Sequence, residues 1–111
     1  MKISEVLKQD KPTLSFEVFP PKKDTDFAQV EAAATQIAAL NPSYMSVTYG
    51  AGGSTKGLTI RLAEEIQKKY DVATIAHLTC VCAGKDSIRQ ALSDMKAAGI
   101  ENILVGNCET R

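Results

Sequence analysis

The chain of 111 residues is 44% hydrophobic and 23% charged, with thirteen basic side chains set against thirteen acidic ones. That is the balance of an ordinary folded domain with one small core. A net charge of zero offers no field to draw in nucleic acid or anionic lipid. No apolar run approaches the roughly 20 residues that span a bilayer, and the charged start Met1–Lys8 lacks the apolar stretch of a secretory signal. These features predict a cytoplasmic protein that engages neither nucleic acid nor membrane.

In chain order, Ile3, Val6 and Leu7 predict a short leading helix. Thr13 to Phe19 reads as a strand, halted by Pro20-Pro21 because proline has no N–H to give to a ladder. Asp24 or Thr25 is placed to cap a helix with the apolar stripe Phe27, Val30, Ala34, Ile37 and Leu40, and Asn41-Pro42 ends it. Tyr44 to Thr48 is a second strand, running into the loop Gly50-Ala51-Gly52-Gly53-Ser54. The next helix puts Leu58, Leu62 and Ile66 on one face and Arg61, Glu64, Glu65 and Lys68 elsewhere. Ala73 to Leu78 forms a third strand. A third long helix opens near Asp86, buries Ile88, Leu92 and Met95, and stops at Gly99, a good left-handed cap. Ile103 to Val105 begins a fourth strand.

Strands separated by helices of this length imply βαβ units and a parallel sheet with right-handed crossovers. Periodicity leaves two α/β architectures open, an open doubly wound sheet and a (β/α)₈ barrel.

Side-chain parity singles out three polar residues. Leu14, Phe16 and Val18 share one side of the first strand and should meet the helices, which leaves Glu17 on the other side, with Ser15 and Phe19. A carboxylate there is costly unless it is paired, protonated or used. Ser46 and Thr48 share a face of the second strand, and His77, the chain's one histidine, lies at the end of the third. Threonine is common in strands, and a lone histidine is more often structural than catalytic. Glu17, Thr48 and His77 nevertheless all fall at C-terminal strand ends, where ligands bind in barrels and open sheets alike.

The glycine loop follows a strand and precedes a helix, a suitable place for a nest of backbone N–H groups. It fails both the dinucleotide fingerprint and the Walker pattern, because Thr55 stands where each requires glycine. His77, Cys80 and Cys82 lack the ligand spacing that zinc prefers, so no metal site is expected. An odd cysteine count, Cys80, Cys82 and Cys108, predicts reduced thiols rather than a disulfide framework.

Three of these stretches together resemble the methylenetetrahydrofolate reductase family. They are Ser15-Phe16-Glu17-Val18-Phe19-Pro20-Pro21-Lys22, Ser46-Val47-Thr48-Tyr49-Gly50-Ala51-Gly52-Gly53-Ser54-Thr55, and Ala76-His77-Leu78-Thr79-Cys80. The resemblance runs from about Thr13 to Leu104 and selects the barrel: this chain would be the N-terminal part of a (β/α)₈ TIM barrel. It implies reduction of methylenetetrahydrofolate to methyltetrahydrofolate, with electrons passing from NAD(P)H through FAD. Glu17 matches the family's catalytic acid, which helps protonate the bridging nitrogen of the folate. Thr48 matches a residue near the shared nicotinamide and folate site, and Tyr49, Ala51 and His77 match flavin contacts. The family usually forms homo-oligomers.

After Leu104 the resemblance fails. The family continues into a Leu-Arg-Gly-Asp segment that contacts the flavin, whereas this chain reads Val105-Gly106-Asn107-Cys108-Glu109-Thr110-Arg111. A frameshift would produce such a tail, since codons for Asn-Cys-Glu in another register can give Leu-Arg. Residues 1–111 are thus expected to form one partial barrel domain with a divergent tail at 105–111. A full barrel takes about 250 residues. The sheet edges, Phe19 and Ile75 should therefore lack partners, Glu17 should face water, and the isolated chain should bind FAD weakly or not at all. The alternative to a family enzyme is a non-catalytic fragment of one.

Overall fold

The first two strands alternate apolar with more polar side chains, so the sheet has one face suited to burial, and the helices pack there. The computed structural model describes residues 2–8, 12–20, 26–49, 56–79 and 84–106. Within them the order is α1 (Ile3–Leu7), β1 (Ser15–Val18), α2 (Phe27–Ala38), β2 (Tyr44–Val47), α3 (Lys56–Tyr70), β3 (Ala73–Thr79), α4 (Lys85–Ala97) and β4 (Asn102–Gly106). All four strands are parallel and lie in the sequential order β1-β2-β3-β4.

That order decides between the two architectures. A doubly wound sheet reverses its strand order at a switch point and carries helices on both faces. Here the order never reverses, and one hydrophobic cluster joins α2, α3 and α4 to one face of the sheet. The protein is α/β, with four strands and their helices arranged as part of a (β/α)₈ barrel.

The core lies between that face and the helices. Val18, Met45, Val47, Ala76 and Leu78 come from the strands, meeting Phe27, Ala34 and Ala38 of α2, Leu62, Ala63 and Ile66 of α3, and Ala91 and Met95 of α4. Leu62 and Met95 are fully buried, and each such side chain stabilises by about 1.5–3 kcal/mol relative to exposure. Arg61, on the polar part of α3, stacks its guanidinium 4.0 Å above the Phe27 ring and so covers the start of α2. Lys69 of α3 reaches Glu65 at 3.1 Å and Glu31 of α2 at 3.2 Å, a surface stitch between neighbouring helices.

Several expectations shift in detail. Leu92 is exposed, and Ala91 takes its place against the sheet, because the inward stripe of α4 runs through Ala91 and Met95. Leu40 is also exposed: α2 stops at Ala38, and Asn41 turns the chain with φ of 58°, a left-handed conformation that asparagine tolerates. Leu14 precedes β1 and is exposed, whereas Val18 meets the core as its parity requires. Gly99 closes α4 with φ of 78°, as expected. The caps foreseen at Asp24 and Thr25 lie outside the described residues.

The leading helix serves the opposite end of the sheet from the strand C-termini. Val6 is buried, and the Ile3 amide donates to Asn102 Oδ1 at 2.9 Å. The Asn102 amide group in turn donates to the Thr74 carbonyl at 3.1 Å, so one side chain ties α1, β3 and β4 together. Replacing it as Asn102→Ala leaves a backbone donor and a backbone acceptor without this partner. Stability should fall by roughly 1–3 kcal/mol in urea denaturation. An unchanged midpoint would mean that α1 is held by Val6 alone.

Candidate functional site

The uncovered face of the sheet carries the polar residues. Register pairs Glu17 with Ser46 and Ser46 with Ile75, and His77 follows Ile75 by two residues on the same face. Glu17 and His77 therefore converge across β2. The carboxylate Oε1 of Glu17 lies 3.6 Å from His77 Nε2 and 3.5 Å from the Ser46 hydroxyl, which donates to it. The Glu17 side chain is 49% exposed and that of His77 23%. At these distances and exposures the contacts orient the carboxylate more than they stabilise the fold.

Thr48 and Tyr49 continue β2 beyond its last ladder residue. The Thr48 amide donates to the Val18 carbonyl at 3.0 Å, holding this rim position to β1. Its own carbonyl accepts from the Thr59 hydroxyl at 2.9 Å. Thr59 is fully buried in α3, so the helix pins the backbone at the strand end. Tyr49 turns to the helix side and packs against the core cluster. Burial pushes its phenol above the ordinary value of 10.0.

These residues surround a cavity of about 200 Å³ at the C-terminal rim, lined by Thr48, Tyr49, His77, Thr79, Leu104 and Gly106, with Leu78 behind. The structure thus brings together four of the five residues singled out from sequence, with Glu17 and His77 in contact and Thr48, Tyr49 and His77 around the cavity. The fifth, Ala51, lies outside the described residues, as do the rest of the glycine loop and Cys80, Cys82 and Cys108. Among the described residues no cluster of three or more His, Cys, Asp or Glu side chains is placed to hold a metal ion, and no helix is long and apolar enough to cross a membrane.

Sequence reading placed Ser46 on the face of Thr48 without linking it to Glu17, and singled out none of Thr59, Thr79 and Leu104 as site residues. Ser46 was visible as the cross-strand neighbour of Glu17 once register was known. Thr59 stands between Leu58 and Ile60, and a hydroxyl there signals a buried acceptor nearby. Glu17 was expected to face water, and it does so by half while keeping two polar neighbours. Phe19 is exposed as expected, while Ile75 is half-buried beside its cross-strand partners.

A parallel sheet in sequential order, with polar side chains gathered at its C-terminal rim, defines a segment of a barrel-type α/β protein, a class in which ligands bind at the strand ends. The family model described as methylenetetrahydrofolate reductase matches residues 2–106, and the chain belongs to that family. Relatives include a rice (Oryza sativa subsp. japonica) protein named "Probable methylenetetrahydrofolate reductase (NADH)", 36% identical over 103 residues that make up 93% of this chain and 17% of the relative. "Methylenetetrahydrofolate reductase (NADH) 1" of Arabidopsis thaliana is 35% identical over the same shares. The "5,10-methylenetetrahydrofolate reductase" of Pectobacterium carotovorum is 28% identical over 86% of this chain and 32% of its own length. The chain therefore spans 17% of the plant relatives' length and 32% of this bacterial one's.

The Tyr49 environment has a measurable consequence. The unfolded phenol ionises near 10.0 and the folded one higher, so this group's contribution is intact below pH 10 and is lost as pH rises through the folded value. Above pH 10 the native chain should lose stability more steeply than the Tyr49→Phe variant in denaturant titrations. Equal slopes would mean that Tyr49 is as solvated in the folded protein as in the unfolded one.

Proposed function

We propose that this chain supplies the first part of the active site of a flavin-dependent reductase that converts methylenetetrahydrofolate to methyltetrahydrofolate with electrons from NAD(P)H. The observation that carries the reading is the contact of Glu17 with His77 beside the rim cavity, 3.6 Å between Oε1 and Nε2. It places an acid at the edge of a recess that has both apolar walls and hydroxyl groups.

The residues present fit one edge of a flavin ring. Leu78 and Leu104 offer apolar surface, and Thr48, Tyr49 and His77 offer polar groups at the mouth. Thr48, Tyr49, Ala51 and His77 would hold the cofactor, with Thr48 also close to the nicotinamide and folate positions. The flavin, once reduced by NAD(P)H, would supply the hydride that the methylene carbon accepts. Glu17 in its protonated form gives its proton to the bridging folate nitrogen, so that the five-membered ring opens and the carbon becomes able to accept hydride. Ser46 and His77 keep the carboxyl group on the open face while it does so.

A second reading is favoured by size and exposure. The cavity of about 200 Å³ is smaller than the roughly 300–1,000 Å³ of ligand pockets, and the Glu17 side chain is 49% exposed. On that reading these 111 residues hold one wall of the site and do not turn over alone. The test is to purify the chain, add FAD, remove the excess, and record the visible spectrum before and after NADH. A retained flavin that bleaches supports an assembled half-site, and a colourless protein supports the non-catalytic reading. In an active reductase that contains this segment, Glu17→Gln should lower kcat by about 10²–10⁴-fold while the bound flavin spectrum stays unchanged. Unaltered turnover would remove Glu17 from the reaction.

A further inference from the structure

We infer that Thr59 is a positioning residue of the rim site: its buried hydroxyl supplies the hydrogen bond that Pro20 cannot, and so fixes the peptide from which Thr48 and Tyr49 reach the flavin. The inference rests on the reaction proposed above and adds to it a residue with no exposed surface of its own.

The need for such a bond follows from the ladder between β1 and β2. Val18 pairs with Val47, so Phe19 stands opposite Thr48 one step beyond the last paired residues. In a parallel ladder the amide and the carbonyl of one residue bond the two residues that flank its partner. The Thr48 amide keeps this pattern, donating to the Val18 carbonyl at 3.0 Å. The pattern then assigns the Thr48 carbonyl to the amide of residue 20. That residue is Pro20, which has no N–H. The carbonyl must find another donor, since a backbone acceptor without one is costly wherever water is excluded.

Thr59 provides that donor from the helix layer. It lies in the first turn of α3, and its Oγ1 donates to the Thr48 carbonyl at 2.9 Å from a side chain that is 0% exposed. Ile60, Leu62 and Ala63 beside it are buried in the core, which anchors this part of the helix. Thr48 is thereby held at both backbone groups, by β1 through its amide and by α3 through its carbonyl. The side chains on either end of the held peptide, Thr48 and Tyr49, both line the rim cavity. Packing alone would be served as well by valine, which has the shape of threonine. The hydroxyl is what the Thr48 carbonyl requires. Without it the peptide can rotate, and both side chains shift against the flavin edge.

The test takes a full-length protein that contains this segment, strips it of cofactor and titrates it with FAD by fluorescence quenching, with circular dichroism as the folding control. Thr59→Val should raise the FAD dissociation constant at least about tenfold with the helical signal retained. Thr59→Ser keeps the donor and should stay near the unsubstituted value. Thr59→Val combined with Pro20→Ala restores a backbone donor at residue 20 and should recover most of the affinity. If Thr59→Val alone does not fold, the double variant carries the test: folded and binding, it supports the inference, and unfolded, it overturns it. Unchanged affinity in Thr59→Val, an equal loss in Thr59→Ser, or a loss that Pro20→Ala does not recover would each overturn the inference alone. An unsubstituted protein that binds no reducible flavin would overturn the proposed reaction and this inference together, and that result is read before any variant is made.

Discussion

One-sided burial is the constraint on which the rest of this structure depends. Four short parallel strands lie in sequential order, and their helices share one core against one face. The first three strands turn Val18, Met45, Val47, Ala76 and Leu78 to the helices and Glu17, Ser46 and His77 away from them. A slip of one residue in any pairing would exchange the two sets and bury a carboxylate or an imidazole in the apolar layer. The same alternation that makes the core therefore delivers the polar groups to one surface.

Placement along the strands is as important as the face they occupy. Glu17, Thr48 and His77 belong to three strands separated by helices, yet register brings them to one end. Thr59 reinforces this by holding the Thr48 carbonyl from within α3, while the Thr48 amide is held by β1. The rim is thus fixed by backbone bonds at the strand termini, and the side chains there remain available for other partners. Surface ion pairs such as that of Lys69 with Glu31 and Glu65 add little by comparison, since exposed pairs of this kind contribute about 0–1 kcal/mol.

Much of this was legible in the sequence because it rests on local chemistry. Alternation of strand and helix, the stop at Gly99 and the parity of Glu17 all follow from residue type and spacing. The choice of barrel over open sheet came only from the resemblance of the three motifs to a known family, because strand order is a property of long-range pairing that periodicity does not record. Leu92 and Leu40 were misplaced for a related reason. Helical periodicity gives a stripe about 100° wide, and only packing decides that Ala91 rather than Leu92 faces the sheet, or that α2 ends before Leu40. The contact of Ser46 with Glu17 was not foreseen, since it depends on register across twenty-nine residues. Thr59 escaped because its partner is a carbonyl, which every residue possesses.

The hydrogen bond from Ile3 to Asn102 joins residues ninety-nine positions apart. A ribosome extends the chain from the N-terminus, so α1 emerges before β1 and meets its anchor only when β4 has been made. Until β4 is made, Val6 has only part of its final surroundings, and the lower end of the sheet stays unsealed. Parallel pairing is already slow, because every new strand must wait for its crossover. Asn102 makes the pairing of β4 also the step that secures α1. The first helix is thus secured only once the fourth strand has been made, and the strands between them stay open to misassembly until then.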